Sequence, residues 1–70
     1  MSVNLILKNN LSSPVEVELV DIYGGNFLAN IDGEMSQNHT VLEGSEIIVN
    51  GNVICVVALE DEGKEIVVAE

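Results

Sequence analysis

The sequence predicts an all-β domain, either a small antiparallel β-sandwich or a partly open barrel of about six or seven short strands. Residues 53–59 carry no polar side chain, are rich in Val, Ile and Leu, and form a run too short for a typical helix. Asn50 and Gly51 precede this run and are the strongest short signal for a two-residue type I′ hairpin turn. Turn signals recur about every ten residues, as in sandwiches and small barrels. We therefore expect residues 53–59 to form a central strand with a hairpin partner on each side in sequence.

The remaining strands are predicted from alternating or short apolar stretches. These stretches are residues 3–8, 15–19, 27–31, 39–42, 46–49 and 65–70. In the stretch 15–19 apolar and acidic residues alternate, and this alternation is broken after Leu19 because Val20 is also apolar. One extra residue in a strand would produce such a break. We expect a bulge near Leu19 and Val20, with an exposed apolar pair as the alternative. Residues 34–38 have no clear period and predict a loop.

The 70 residues predict a single domain, residues 1–70. Within it, residues 42–47 read Leu-Glu-Gly-Ser-Glu-Ile, which resembles the turn and strand found in many immunoglobulin-like sandwiches. The resemblance covers six residues and implies an immunoglobulin-like form of the predicted sandwich. It implies nothing about function, since no functional residue is carried by this pattern.

The charge balance is the most unusual property of the sequence. Twelve acidic residues stand against two lysines and no arginine, for a net charge of −10. Such a chain is repelled by phosphate groups, so we expect no direct contact with nucleic acid and none with membranes. The acidic residues either keep an apolar protein soluble or contact a basic partner by mimicking nucleic acid. The candidate contacts for the second role are Glu16, Glu18 and Asp21 on one strand.

Cysteine usage and the chain start bear on the compartment. One cysteine excludes an internal disulfide, and one cysteine with one histidine predicts no metal cluster and no cofactor. The first residues lack a basic leader with a long apolar segment, and no run is long enough to cross a bilayer. We expect cytoplasmic synthesis without a signal peptide.

Few residues suggest catalysis, and we expect no catalytic residues and no enzyme activity. His39 and Cys55 could form a base and a nucleophile, but a cysteine in the middle of an apolar strand favours a buried, inert thiol. Tyr23 and Phe27 are the only aromatic residues, too few for a sugar-binding or base-stacking platform, and we expect Phe27 in the core.

Calcium is the remaining ligand that the acidic turns suggest. The residues concerned are Asp32, Glu34, Glu60, Asp61 and Glu62. They do not follow the spacing of a calcium loop, and acidic turns are mostly solvated, so we expect no metal site.

The hairpin around Asn50 and Gly51 is apolar on both of its faces. In an antiparallel sheet of a small sandwich, one face packs on the core and the other is normally polar. A second apolar face predicts a contact surface, and we expect a homo-oligomer. The predicted interface residues are Ile48, Val53, Val57, Leu59 and Val67. The alternative is that residues 34–38 or the N-terminal strand fold over this face within one protomer.

Three functional hypotheses follow from the sequence. The first is a non-enzymatic β-sandwich interaction module that works as a homo-oligomer, most like a small structural or accessory subunit such as a bacteriophage virion decoration protein. Its assignment to a virion rests on size and composition. The second is an acidic inhibitor that blocks a basic nucleic-acid-binding protein. The third is a small-ligand or calcium-binding module.

Overall fold

The computed structural model describes residues 1–70 as seven β-strands and one short 3₁₀ turn, Leu59–Asp61. The strands are β1 (Ser2–Asn9), β2 (Val15–Val20), β3 (Asn26–Ile31), β4 (Ser36–Leu42), β5 (Glu46–Val49), β6 (Asn52–Val56) and β7 (Glu65–Ala69). They form a three-stranded sheet in the order β4-β1-β7 and a four-stranded sheet in the order β3-β2-β5-β6. The predicted all-β sandwich of about six or seven short strands is confirmed.

The two sheets differ in their pairing. All neighbours in the four-stranded sheet are antiparallel, and β1 is antiparallel to β4 but parallel to β7. Because parallel neighbours cannot be joined by a tight turn, the chain runs through the whole of the other sheet between β1 and β7. The first strand therefore lies in the middle of its sheet, where it contributes to the core along its full length.

The core lies between the inner faces of the two sheets. Its buried cluster consists of Val3, Leu5, Leu7, Val17, Leu19, Ile31, Ile47, Val49, Val57 and Val68. Most of these residues alternate along their strands with exposed or half-buried ones, which is the period of a sheet with one covered face. Each large apolar side chain buried here contributes about 1.5–3 kcal/mol.

The β5–β6 hairpin has the predicted turn. Asn50 and Gly51 have positive φ angles of 53° and 77°, as a type I′ turn requires at both central positions. Next to the turn, Val49 pairs with Asn52 and Ile48 with Val53, as a two-residue turn requires. One residue later a bulge intervenes, and Cys55 rather than Ile54 lies opposite Ile47. The side chains beyond the bulge therefore face the opposite way from a simple alternation.

The apolar run 53–59 is not one continuous strand, which corrects the sequence prediction. β6 ends at Val56, and Val57 crosses into the core, where it is 2% exposed. The Val57 amide donates to the Ser45 carbonyl oxygen and the Val57 carbonyl accepts from the Gly44 amide, so the segment is tied to the turn before β5. Its hydrogen bonds go to that turn instead of to a neighbouring strand.

Two other local predictions are wrong. β2 pairs regularly with both neighbours as far as Val20, so there is no bulge near Leu19. The strand ends at Val20, and Ile22 lies exposed in the following turn. Residues 36–38 belong to β4 rather than to a loop, because Lys8 pairs with Ser36 and the register continues along β1. An edge strand that is held by pairing with its neighbour does not need an alternation of apolar and polar residues.

A buried amide holds the two sheets together at the end of β1. Asn9 is fully buried, and its Nδ2 donates to the carbonyl oxygens of Ser13, Ile31 and Asp32 at 2.8, 3.1 and 3.3 Å. Its Oδ1 accepts from the Leu11 amide at 2.9 Å. One side chain therefore makes hydrogen bonds to backbone groups of three segments.

Candidate functional site

The outer face of the four-stranded sheet, which points away from the core, is partly apolar. Across it, Leu28 of β3, Glu18 of β2, Ile48 of β5 and Val53 of β6 lie in one row of paired residues. Val53 is 50% exposed, and Ile48 is half-buried. In the next row Val56, which is 59% exposed, lies opposite Glu46. Apolar side chains are therefore concentrated on the β5 and β6 side of this face.

Two carboxylates lie on β2, between the apolar side chains of β3 and those of β5 on the same face. Glu16 and Glu18 alternate with buried residues of β2, so both side chains point outward. With Leu28, Ile48, Asn50 and Gly51 they line a shallow depression of about 180 Å³. Two of the three predicted acidic contacts, Glu16 and Glu18, thus lie beside part of the predicted apolar interface on one sheet face.

The structure brings together only two of the five predicted interface residues. Ile48 and Val53 are direct neighbours on the outer face. Val57 is a core residue, so its placement on the outer face is wrong; the bulge and the end of β6 reverse the alternation used to place it. Leu59 is exposed in the 3₁₀ turn. Val67 pairs with Lys8 on the outer face of the three-stranded sheet, in the other layer of the sandwich.

Asp21 does not belong to the acidic face, which corrects a second prediction. It follows the end of β2, and its Oδ1 accepts hydrogen bonds from the amides of Tyr23 and Gly25 at 2.8 and 3.0 Å. The carboxylate therefore closes the β2–β3 turn. An aspartate just ahead of Gly24 and Gly25 is the sequence signal for such a turn.

An open cleft lies between β3 and β4, at the margin where the edges of the two sheets meet. It measures about 420 Å³ and is lined in part by Leu19, Phe27, His39 and Val41. Phe27, predicted as a core residue, is 57% exposed because β3 is an edge strand and no further strand covers its ring. The Phe27 and His39 rings lie 5.9 Å apart, tilted by 56°.

Two polar side chains of the cleft, Ser45 and His39, have surroundings that the sequence does not predict. Ser45 is 1% exposed, and its Oγ is the buried side-chain oxygen that has no hydrogen-bond partner. His39 Nε2 lies 3.0 Å from Gln37 Oε1, and burial lowers the pKa of His39. The available signal for Ser45 was its position, two residues before Ile47, on the inward phase of β5.

His39 and Cys55 do not form a catalytic pair. His39 lies on β4 at the cleft margin, whereas Cys55 lies on β6, at the opposite edge of the four-stranded sheet. Burial and the nearby Asp61 carboxylate both raise the pKa of the Cys55 thiol. A thiol with a raised pKa is a poor nucleophile at neutral pH.

Two of the acidic turn residues, Asp61 and Glu62, accept hydrogen bonds from backbone amides. Asp61 Oδ2 accepts from the Ala58 amide at 2.9 Å, at the start of the 3₁₀ turn. Glu62 accepts from both the backbone amide and the side-chain amide of Asn4, at 2.9 and 3.0 Å, and these bonds lower the pKa of Glu62. No group of three or more His, Cys, Asp or Glu side chains is close enough to hold a metal ion.

Comparison with protein-family models, curated proteins and solved structures finds no match for this chain. No helix has the length and hydrophobicity needed to cross a membrane.

Proposed function

We propose that this protein is a non-catalytic β-sandwich interaction module that works as a homo-oligomer. The observation that carries the proposal is the apolar corner of the four-stranded sheet, formed by Ile48, Val53, Ile54 and Val56 and called the β6 corner below. The core is complete without these side chains, because the buried cluster draws on both sheets and on Val57 but on none of them. Exposed apolar side chains in contact with one another are typical of a protein contact surface.

β6 also lacks two of the features that protect edge strands, charged residues and proline. Such strands carry charged residues or proline, which discourage pairing with another chain. β6 reads Asn-Val-Ile-Cys-Val and has neither. The bulge at Ile54 interrupts the regular backbone of this edge strand. A contact at β6 would therefore combine a short stretch of strand pairing with side-chain packing.

Charge geometry favours a second copy placed edge to edge at β6 over one stacked face to face. Stacked outer faces would bring Glu16, Glu18 and Glu46 of two copies together. Pairing at β6 would instead separate the two β2 strands by five strand spacings, about 24 Å. That distance exceeds the screening length of about 8 Å at physiological ionic strength, so repulsion between the β2 carboxylates, Glu16 and Glu18, would be weak.

A stable contact would have to extend beyond the four residues of the β6 corner to the surface around them. A standard interface covers about 800 Å² on each partner. That is about a fifth of the 4214 Å² surface of this protomer. The particular proposal of a virion accessory subunit is supported by the small size and the acidic, aromatic-poor composition.

Mass in solution tests the proposal. Sedimentation equilibrium over a range of protein concentrations should give a mass above the 7.5 kDa of one chain. The association should strengthen when salt rises, because each protomer carries a net charge of −10 and salt screens their general repulsion. A mass of 7.5 kDa at every concentration would refute it.

An acidic inhibitor of a basic protein is the second candidate function. The observation that favours it is the depression bounded by Glu16, Glu18, Leu28 and Ile48, where two carboxylates flank apolar side chains. A lysine or arginine of a partner could place its charge between the carboxylates and its methylenes on the apolar residues.

Salt separates the two candidates, because binding to a basic partner should weaken steeply between low and moderate ionic strength. Glu16→Gln and Glu18→Gln should then weaken binding without altering self-association. Binding that is insensitive to salt and to both substitutions would reject the inhibitor.

A further inference from the structure

We propose that the cleft between β3 and β4 binds a small organic cation, an ammonium group attached to an apolar or aromatic body. The cleft lies between the edges of the two sheets, away from the β6 corner, so this inference does not depend on the proposed oligomer. It is carried by three features of the cleft: an uncovered aromatic ring, polar groups that are left able to accept hydrogen bonds, and a negative charge.

The apolar wall offers a surface for the body of such a ligand. Leu19 and Val41 face the cleft from the two sheets, and Phe27 lies opposite Leu19 on the edge strand β3. Phe27 is on the inward phase of its strand, yet more than half of its side chain is exposed. An aromatic ring in this position can stack on an apolar group or hold a cation over its face.

Asp21 supplies the negative charge. Its Oδ1 accepts two backbone hydrogen bonds from the turn, whereas its Oδ2 accepts none. The cleft is lined by no lysine or arginine, so no positive side chain neutralises this carboxylate there. With a net charge of −10 on the protein, a cation is attracted and an anion of the same shape is repelled.

The orientation of His39 follows from a chain of hydrogen bonds. Gln37 Nε2 donates to the Asn30 carbonyl oxygen at 2.7 Å, which directs Gln37 Oε1 toward His39. Because that oxygen can only accept, His39 Nε2 must carry the hydrogen, and the neutral ring keeps Nδ1 as an acceptor. Burial lowers the pKa of His39, which favours the neutral ring.

Ser45 is the independent sign of an occupant. A buried hydroxyl without a partner costs roughly 1–3 kcal/mol in proteins, and such groups are rare. Ser45 Oγ is in this state, and Ser45 is one of the residues that line the cleft. Asp21 Oδ2 and His39 Nδ1 can accept a hydrogen bond, and the enclosed Ser45 Oγ can accept one after rotation of its side chain toward the cleft. An ammonium group has only hydrogens to donate.

A titration followed by two-dimensional ¹⁵N NMR of the full chain tests the proposal with three probes of one shape. 2-Phenylethylammonium should give saturable shifts at Phe27, His39 and Ser45. 2-Phenylethanol should bind at least tenfold more weakly because it lacks the charge. 3-Phenylpropanoate should give no saturable shift.

Substitutions identify the groups responsible. Phe27→Ala should weaken binding of 2-phenylethylammonium roughly tenfold. Asp21→Asn should weaken it several-fold while the amide oxygen still closes the turn. Tyr23→Ala is the matched control, because Tyr23 is 82% exposed and does not line the cleft; it should leave the affinity unchanged.

Three results would overturn the proposal: equal affinity for the ammonium and the alcohol, shifts confined to residues outside the cleft, or no saturable shift with any probe. A higher affinity for Nα-acetyl-lysine amide than for 2-phenylethylammonium would also overturn it. The cleft would then be a site for a lysine side chain of another protein.

Discussion

Ile48 on β5 lies directly opposite Val53 on β6, and both side chains are on the face of the four-stranded sheet that points away from the core. The pair lies two residues from the type I′ turn, where register is tightly determined. The neighbouring inward residues Ile47 and Val49 are buried in the core. The same hairpin therefore completes the interior with one set of side chains and leaves an apolar pair at the surface.

Val53→Asp should strongly weaken self-association while leaving the protomer folded. The new carboxylate would have to be desolvated in the contact on each copy, and we expect the dissociation constant to rise roughly 100-fold. Sedimentation equilibrium measures the change, and circular dichroism verifies the fold. Tyr23→Asp adds the same charge at an 82% exposed position away from β6 and should leave the association unchanged. Equal effects of the two substitutions would contradict the proposed contact surface.

Val57→Ala and Val53→Ala should differ sharply in stability. Val57 is enclosed in the core, so removing two methyl groups should lower the free energy of unfolding by about 2 kcal/mol through lost burial and a residual cavity. Val53 is half exposed, and its truncation should cost under about 1 kcal/mol in the protomer. Urea denaturation at low protein concentration measures both. Similar values for the pair would contradict the placement of Val57 inside the core.

Asn9→Ala should be among the most destabilising single substitutions. It removes the donor that serves the carbonyl oxygens of Ser13 and Ile31 and the acceptor for the Leu11 amide, and it leaves buried groups unsatisfied. We expect a loss of about 3 kcal/mol in the free energy of unfolding, measured by urea denaturation. Asn10→Ala is the neighbouring control; Asn10 is exposed, and the change should be within about 0.5 kcal/mol. A mild effect at Asn9 would mean that other groups can take over its bonds.

Glu62 should titrate at a pH below the ordinary value for a glutamate side chain. Its two hydrogen bonds from Asn4 favour the charged form and lower the pKa in the folded state. Because the folded pKa lies below the unfolded one, the associated stabilisation is present above the unfolded value and disappears as pH falls through the folded pKa. Carbon-detected NMR of the side-chain carboxyl measures the titration.

Asn4→Ala should move the Glu62 pKa upward, since the side-chain bond is lost while the backbone bond remains. Lys64→Ala removes a charge close in sequence without removing either bond and serves as the control. A Glu62 pKa that does not respond to loss of the Asn4 side chain would show that the backbone bond alone lowers it.

The elements that sequence predicts well here are those set by local chemistry. The turn at Asn50 and Gly51 requires positive φ, which these two residues tolerate, and the alternation of β2 follows from one covered face. The acidic, lysine-poor composition likewise gives the surface its charge without reference to the fold. Only the second half of β4 is predicted from the sequence. An edge strand that is held by its pairing with β1 needs no alternation of apolar and polar residues.

Tertiary structure decided which face each side chain joins and what lies beside it. A single extra residue at Ile54 reverses the faces of Cys55 and Val56, and Val57 turns into the core where the chain leaves the sheet. The meeting of Phe27, His39 and Ser45 at one cleft depends on how the edges of the two sheets approach each other. Composition and the alternation of apolar residues carry information about neighbouring residues. These arrangements arise from pairing between segments that are distant in sequence, and for that reason only the folded chain reveals them.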